Sequence, residues 1–363
     1  MKVTKILIAL LVISFSFASC GKKKTQDTNT KKETQKVVVK KEVNTDGITA
    51  EQVKKLSDIF NYGDTLVEER KGFQKEISKL SKDFKSIKSP LFLKKGTKFK
   101  NVKVNYFADS VWTTIYADDK KKESEKLFWI IVNYKHSMTD RSRKSYKEKF
   151  AGHNAKVSKG SWAWVLLKGD IEIKITTSSN SVKNNKAMEE VLKEFDIKAI
   201  ESIFNEKSPF PELKEYLLKI KAIQAKITAI NKKFKEKELE ATEAFKPFIN
   251  HKGFLKDIEL SKTYYTTSNS FSFYLKKERK TLGIVYVGRH SLIGALSYFR
   301  NKNINKFKLE GFDAISMKEN LVIVKLPKVS VKVSSYSKLD FTKIENLKKV
   351  ASSMFLQSLA KVK

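Results

Sequence analysis

Apolar residues recur at spacings of three and four over more than thirty positions: Leu213, Leu217, Ile220, Ile223, Ile227, Ile230, Phe234, Ala241 and Phe245. That period belongs to an α-helix. Ser208-Pro209-Phe210-Pro211 ahead of it is a start signal, because proline suits the first helical turn. At 1.5 Å per residue the run predicts a helix about 50 Å long, more than one small sheet can cover. Such a helix needs a second apolar surface, and the chain carries a counterpart. Thr49 and Gln52 form a capping-box pattern, and Val53, Leu56, Ile59 and Phe60 then share a face. Gly63-Asp64 is expected to interrupt this first helix. Phe73, Ile77, Leu80, Phe84 and Ile87 resume the spacing until Ser89-Pro90. Two uses fit the pair, an intramolecular coiled-coil hairpin of the long helices or a coiled coil between chains.

Each long helical segment precedes a matching series of short runs. Residues 102–104 answer 258–260, 112–117 answer 270–275, 128–134 answer 282–288, 152–155 answer 311–314, and 162–167 answer 321–326. Ile171, Ile173 and Ile175 alternate with polar residues, as Val329, Val331 and Val333 do, so one face is buried and one wet. Lys168-Gly169-Asp170 reads as a turn, and Pro327 in its counterpart suits an edge or loop. Amphipathic stretches at 187–204 and 341–359 close the two halves. The expected class is α+β: two tandem repeats of an antiparallel sheet packed with helices, each preceded by a long helix. The boundaries follow as 1–19, 20–47, a first module at 48–205 and a second at 206–363. The order β-β-β-α-β-β-α resembles that of PsbP-type sandwiches among exported proteins.

The amino end sets a location. Lys2 and Lys5 precede an apolar run from Ile6 to Phe17, followed by Ala18 and Ser19. A charged start, a short apolar run and a small-residue exit make an export signal, and the run falls short of the roughly 20 residues that span a bilayer. Phe17-Ala18-Ser19-Cys20 resembles the lipobox of a bacterial lipoprotein precursor, matching at Ala18, Ser19 and Cys20 and departing at Phe17, where the family prefers leucine. The resemblance implies cleavage after residue 19 and acylation of Cys20. Partners would then include the membrane itself, through lipid on Cys20. It also implies a place in the cell envelope, in the outer membrane if the source has two, because Gly21 rather than aspartate follows the cysteine. An ordinary cleaved signal with an incidental cysteine is the alternative. From Gly21 to Gly47 eight lysines and four acids stand among Thr, Gln and Asn. That composition cannot bury a core and reads as a disordered basic tether, reaching about 30 Å as a flexible coil.

Charge narrows the partners. Formal net charge is +34, from 74 basic and 40 acidic residues. Nearly all of it is lysine, with arginine only at Arg70, Arg141, Arg143, Arg279, Arg289 and Arg300. Diffuse lysine favours an anionic lipid or acidic polymer surface, whereas base and phosphate recognition draws on arginine's planar fork. Export also argues against a nucleic-acid partner. Coding bias accounts equally for the lysine content. Cys20 is the only cysteine, so the mature chain forms no internal disulfide. Oligomeric state is left open.

Few residues carry recognisable chemistry. Lys135-His136-Ser137-Met138 and Arg289-His290-Ser291-Leu292 stand at matching strand-to-helix junctions. Ser137 and Ser291 suit N-caps, and the basic residue with His136 or His290 would favour an anion at the helix start. A capped junction kept in both halves is the plainer reading. No metal site is expected, because His136, His153, His251 and His290 lack ligand spacing. No nucleophile elbow, phosphate loop or dinucleotide fingerprint occurs, and no cofactor is implied. Trp162 and Trp164 share a strand face, with Trp112 and Trp129 in the same half. Apolar Leu321 and Ile323 hold the matching places in the other half, which favours core packing over a sugar-stacking platform. The expected function is a non-enzymatic, membrane-anchored envelope lipoprotein binding a protein partner or an acidic envelope surface. The alternatives are a cell-wall or glycan-degrading enzyme and a small-ligand or lipid carrier.

Overall fold

The computed structural model describes residues 47–84, 92–116, 126–134, 140–158, 160–177, 185–252, 258–291, 294, 295, 299, 304–317, 320–336 and 343–363. The signal, Cys20 and nearly all of the tether lie outside these residues, as do His136, Ser137, Ile87 and Ser89-Pro90. Residues 42–363 form one compact unit. Among the described residues no helix is long and apolar enough to cross a membrane.

The fold is α+β, with two antiparallel sheets and helices. Helix α1 (Ala50–Phe84) leads into β1 (Val102–Phe107), β2 (Ser110–Tyr116) and β3 (Lys126–Tyr134). The short α2 (Asp140–Arg143) crosses to β4 (Glu148–Phe150), β5 (His153–Ser158), β6 (Trp162–Leu166) and β7 (Ile171–Thr177). Helices α3 (Asn185–Lys193) and α4 (Ile197–Glu201) close this series. Helix α5 (Pro211–Phe245) opens the next, with β8 (Glu259–Leu260), β9 (Tyr264–Thr266), β10 (Ser270–Lys277) and β11 (Lys280–Arg289). Then come β12 (Asn305–Leu309), β13 (Phe312–Met317), β14 (Leu321–Lys325), β15 (Val329–Ser335), α6 (Ile344–Ser352) and α7 (Leu356–Leu359).

The first sheet runs β1-β2-β3-β7-β6-β5-β4. The second, read in the same direction, runs β8-β10-β11-β15-β14-β13-β12, with β9 also pairing β10. The two orders coincide once β8 and β9 together take the place of β1. Small details agree as well. Ala151-Gly152 and Glu310-Gly311 both turn in left-handed conformation between the paired strands β4–β5 and β12–β13, as tight hairpins require. Leu167 N–H bonds Ile171 O across one turn and Leu326 N–H bonds Val329 O across the other. Pro327 therefore lies in a loop between two central strands. Each sheet has more strands than expected, because the three-residue β4, β9 and the polar β12 carry too few apolar residues to show a period. The closing helices are each broken in two, at Asp196, which caps α4 through Ala199 N–H at 3.0 Å, and at Phe355, whose φ is 43°.

One register differs from the linear match. Ile130 faces Ile175 as Val285 faces Val333, so residue 130 corresponds to 285 rather than to 284. A one-residue slip exchanges the two faces of a strand. The last residues of β3 and β11, Tyr134 and Arg289, then coincide, facing Ile171 and Val329. By this register His290 matches position 135 of the sequence rather than His136.

The long helices decide how the cores are built. They lie antiparallel: Lys226 sits over the Phe73 ring at 5.2 Å, Arg70 Nη1 donates to Asn231 at 3.5 Å, and Ser81 meets the Tyr216 hydroxyl at 2.9 Å. Each helix divides its apolar residues between the sheets. Phe84 from the end of α1 joins Leu213, Tyr216, Leu217 and Ile220 from the start of α5 in the core on the first sheet. Val53, Leu56, Ile59, Phe60 and Leu66 from the start of α1 join Ile230, Phe234 and Phe245 of α5 on the second. Both cores thus cross the 205/206 boundary.

Helix α1 passes through Gly63-Asp64 without the expected break. A side chain at Gly63 would overlap Asn269 Oδ1 and the Tyr265 hydroxyl. The glycine is there for close approach, and Asp64 beside it accepts from Asn269 Nδ2 at 2.7 Å and Arg289 Nε at 2.8 Å. The Thr49–Gln52 capping box forms as expected, at 2.8 and 3.2 Å.

Two outcomes follow. Gly63→Ala should destabilise the protein by about 1–3 kcal/mol through overpacking, measured by urea unfolding. A fragment 48–205 should lack a cooperative transition. It would expose Val53, Leu56, Ile59, Phe60 and Leu66, whose burial is worth about 10 kcal/mol in sum, comparable to a whole domain's stability. Adding residues 206–363 in trans should restore the transition.

Candidate functional site

His290 ends up between β11 and the β14–β15 turn. Its Nδ1 lies 2.6 Å from Ser330 Oγ and its Nε2 lies 3.3 Å from the Pro327 carbonyl. A carbonyl only accepts, so Nε2 carries the proton and donates to Pro327, while Nδ1 accepts from the Ser330 hydroxyl. Both ring nitrogens are engaged. Burial lowers the His290 pKa first, the Pro327 hydrogen bond opposes this, and the positive charges of Lys325 and Arg289 lower it further. Arg289 is committed as well: to Asp64, to Asn61 Oδ1 at 3.1 Å and to the Lys363 carbonyl at 3.1 Å. Its guanidinium also rests over Phe60, 5.1 Å from the ring centre. Ser291 is exposed beside a cleft of about 300 Å³ that Asp64, Glu68, Lys71 and Lys328 also line. The arrangement ties helix, sheet and carboxyl end together; at the cleft Lys71 pairs with Glu68 at 2.7 Å, and Ser291 and Lys328 are exposed. His136 and Ser137 lie outside the described residues.

The tryptophans fall elsewhere than expected. On β6, Ala163 and Val165 are fully buried against the helices while Trp162 and Trp164 alternate to the other side. All four tryptophans of the chain are on this outer face and none is in the core. The reason is the alternation itself. Small Ala163 faces the helices, and the bulky rings occupy the opposite face of the sheet. Register orders them. One row across the sheet reads Lys156, Trp164, Lys174, Ile131, Trp112 and Asn105; the next reads Ser158, Trp162, Thr176, Trp129, Thr114 and Lys103. Trp112 meets Trp129 edge-on at 5.2 Å and Phe107 at 6.0 Å. Lys174 Nζ lies 5.1 Å from the Trp164 ring centre, a cation–π distance. Trp129 is 39% exposed and Phe107 68%.

One corner of this face is covered. Tyr146, from the crossover after β3, is buried and donates its hydroxyl to Glu172, whose carboxyl is also buried. Burial and the neighbouring Glu172 raise the Tyr146 pKa. Lys156 Nζ sits 4.2 Å over the same ring. Glu172 is thereby withdrawn from solvent, while Lys174 stays at the Trp164 ring and Lys103 is exposed at the end of its row.

Alternation of Trp162 and Trp164 with small buried residues was the available sequence signal for an outer face. Reading the pair against Leu321 and Ile323 obscured it, because in the second sheet those residues also lie on the outer face. There Ala295, Phe299 and Ile304 from the crossover cover Ile315, Leu321 and Ile323. Among the described residues no group of three His, Cys, Asp or Glu converges as a metal site would. Comparison with family models, curated proteins and solved structures finds no match to this chain.

His290 gives a pH test. The unfolded chain takes up a proton near the ordinary value of 6.5 and the folded one at lower pH. The contribution of neutral His290 is complete above that value and is lost as pH falls from 6.5 toward the folded pKa. The urea midpoint should fall between pH 7.5 and 5.5, and by less in His290→Gln; an equal fall in both proteins would remove His290 as the source.

Proposed function

We propose that this chain is an envelope lipoprotein, acylated on Cys20, whose body works by binding rather than by catalysis. Its partner is another envelope protein or an acidic envelope surface. Residues 20–47 serve as the tether between membrane and body, in the outer membrane where the source has two. The observation that carries this reading is the partly exposed outer face of the first sheet, where lysines alternate with aromatic rings and Glu172 is withdrawn from solvent. Such a face attracts anions and has apolar area with which to hold them. An overall charge of +34 would speed the encounter with an anionic surface.

The body reads as a duplicated unit. Matching strand order, matching hairpin turns and the reciprocal use of the long helices support two copies related by an approximate twofold axis. Within it α1 and α5 act as an antiparallel coiled-coil hairpin, each contributing half its length to either core. Duplication lets one copy keep structural duties while the other diverges at its surface. The Arg289–Asp64 junction and the self-covered patch at Ile323 fit a structural second copy. The tryptophan face fits a binding first copy.

Metabolic labelling tests the anchor: radiolabelled palmitate should enter the full chain and not Cys20→Ala, which should also leave the membrane fraction. Flotation with anionic vesicles and copurification from envelopes test the binding. A chain that neither floats nor retains any envelope protein would defeat the reading.

A further inference from the structure

The outer face of the first sheet has the composition of a particular kind of site. Along one row Trp162, Thr176, Trp129, Thr114 and Lys103 alternate ring, hydroxyl, ring, hydroxyl and ammonium, at a strand spacing of about 4.8 Å. The adjacent row alternates Lys156, Trp164 and Lys174. Flat rings offer apolar area against one face of a sugar ring, and neighbouring hydroxyls and amides bond its equatorial groups. Lysines supply point charges for carboxylates. A purely apolar partner would leave these lysines and threonines unsatisfied on burial. A nucleic-acid strand would also stack on the rings, but the rows contain no arginine to grip phosphate or base edges bidentately.

The second sheet supplies an internal contrast. Trp164 faces Lys174 as Ile323 faces Lys332, so the lysine is present in both. Where the first sheet has Trp162 and Trp164, the second has Leu321 and Ile323, buried under Ala295, Phe299 and Ile304. The same place on the same strand order is closed by the chain itself in one sheet and left as half-exposed tryptophan in the other.

We infer that the outer face of the first sheet binds an acidic polysaccharide, its sugars stacked on Trp129, Trp162 and Trp164 and its carboxylates held by Lys103 and Lys174. This rests on the binding role proposed above and names its ligand class and surface. Because every tryptophan of the chain lies on this face, tryptophan emission reports binding there and nowhere else.

The test uses the full chain in detergent, titrated with polygalacturonate, its methyl-esterified form and oligo(dT). Polygalacturonate should change tryptophan emission and bind, more weakly as salt rises. Trp129→Ala and Trp164→Ala should each weaken binding by about tenfold. Lys174→Gln should weaken it and flatten the salt dependence, and Tyr286→Ala on the second sheet should leave it unchanged. The esterified polymer should bind more weakly than the acid. Trp129 is the most exposed of the four rings, so Trp129→Ala should keep the wild-type circular dichroism and urea midpoint. Unchanged affinity in that folded variant overturns the assignment of the surface. Absence of polygalacturonate binding overturns the ligand class, and oligo(dT) bound more tightly through the same tryptophans overturns it in favour of nucleic acid. In any of these cases, retained flotation on anionic vesicles or a copurifying envelope protein would leave the broader binding role standing.

Discussion

Everything in this body depends on two helices that are too long for one sheet. Each has 35 residues, about 52 Å at the α-helical rise, and each has apolar residues along its whole length. A single sheet cannot bury that surface. The chain solves the excess by laying the helices antiparallel and giving each sheet the end of one and the start of the other. Stability of either core therefore depends on residues from both halves of the sequence.

Polar groups fix where the shared helices sit. At the second sheet Gly63 allows the backbone of α1 to approach, and Asn269 reaches in to bond Phe60 O and Asp64 at 2.7 Å each. Tyr265 bonds Asn269 at 2.8 Å, and Arg289 closes the set onto Asp64 and Lys363. At the first sheet Ser81 and the Tyr216 hydroxyl meet, and Tyr216 also donates to Ala108 O at 2.8 Å. Apolar packing alone would tolerate sliding along a helix. Buried hydrogen bonds do not, since a shifted register would leave them unmade. His290, bonded by Ser330 and Pro327, belongs to this positioning apparatus.

The outer faces carry the difference between the sheets. Each is partly covered by its own crossover: the second over Ile315, Leu321 and Ile323, the first at Glu172 under Tyr146, with tryptophans beside it half-exposed. Helices on the inner side fill the core of the first sheet, and its tryptophans pack among themselves and against lysine on the outer face while staying partly exposed. Four tryptophans gathered on one such face are costly to leave beside water, and a ligand that covers them recovers that free energy.

Much of this was legible in order. Helical spacing found α1 and α5, the Thr49–Gln52 box located a helix start, and two-residue alternation found most strands and the antiparallel α+β class. Those signals are local, because period and capping are set by backbone geometry within a few residues. Three readings depended on contacts distant in sequence. Gly63-Asp64 looks like a helix break until Asn269 and Tyr265 are seen to fill the space beside it. Residue 130 matches 285 rather than 284 because Ile175 and Val333 set the register from another strand. Trp162 and Trp164 alternate correctly in either interpretation, but which face meets the helices is decided by what packs there. A linear sequence thus determined most of the elements, their class and their basic charge. Only the tertiary structure decided that the helices are shared and which side of the first sheet faces out, since burial belongs to surfaces brought together across the chain.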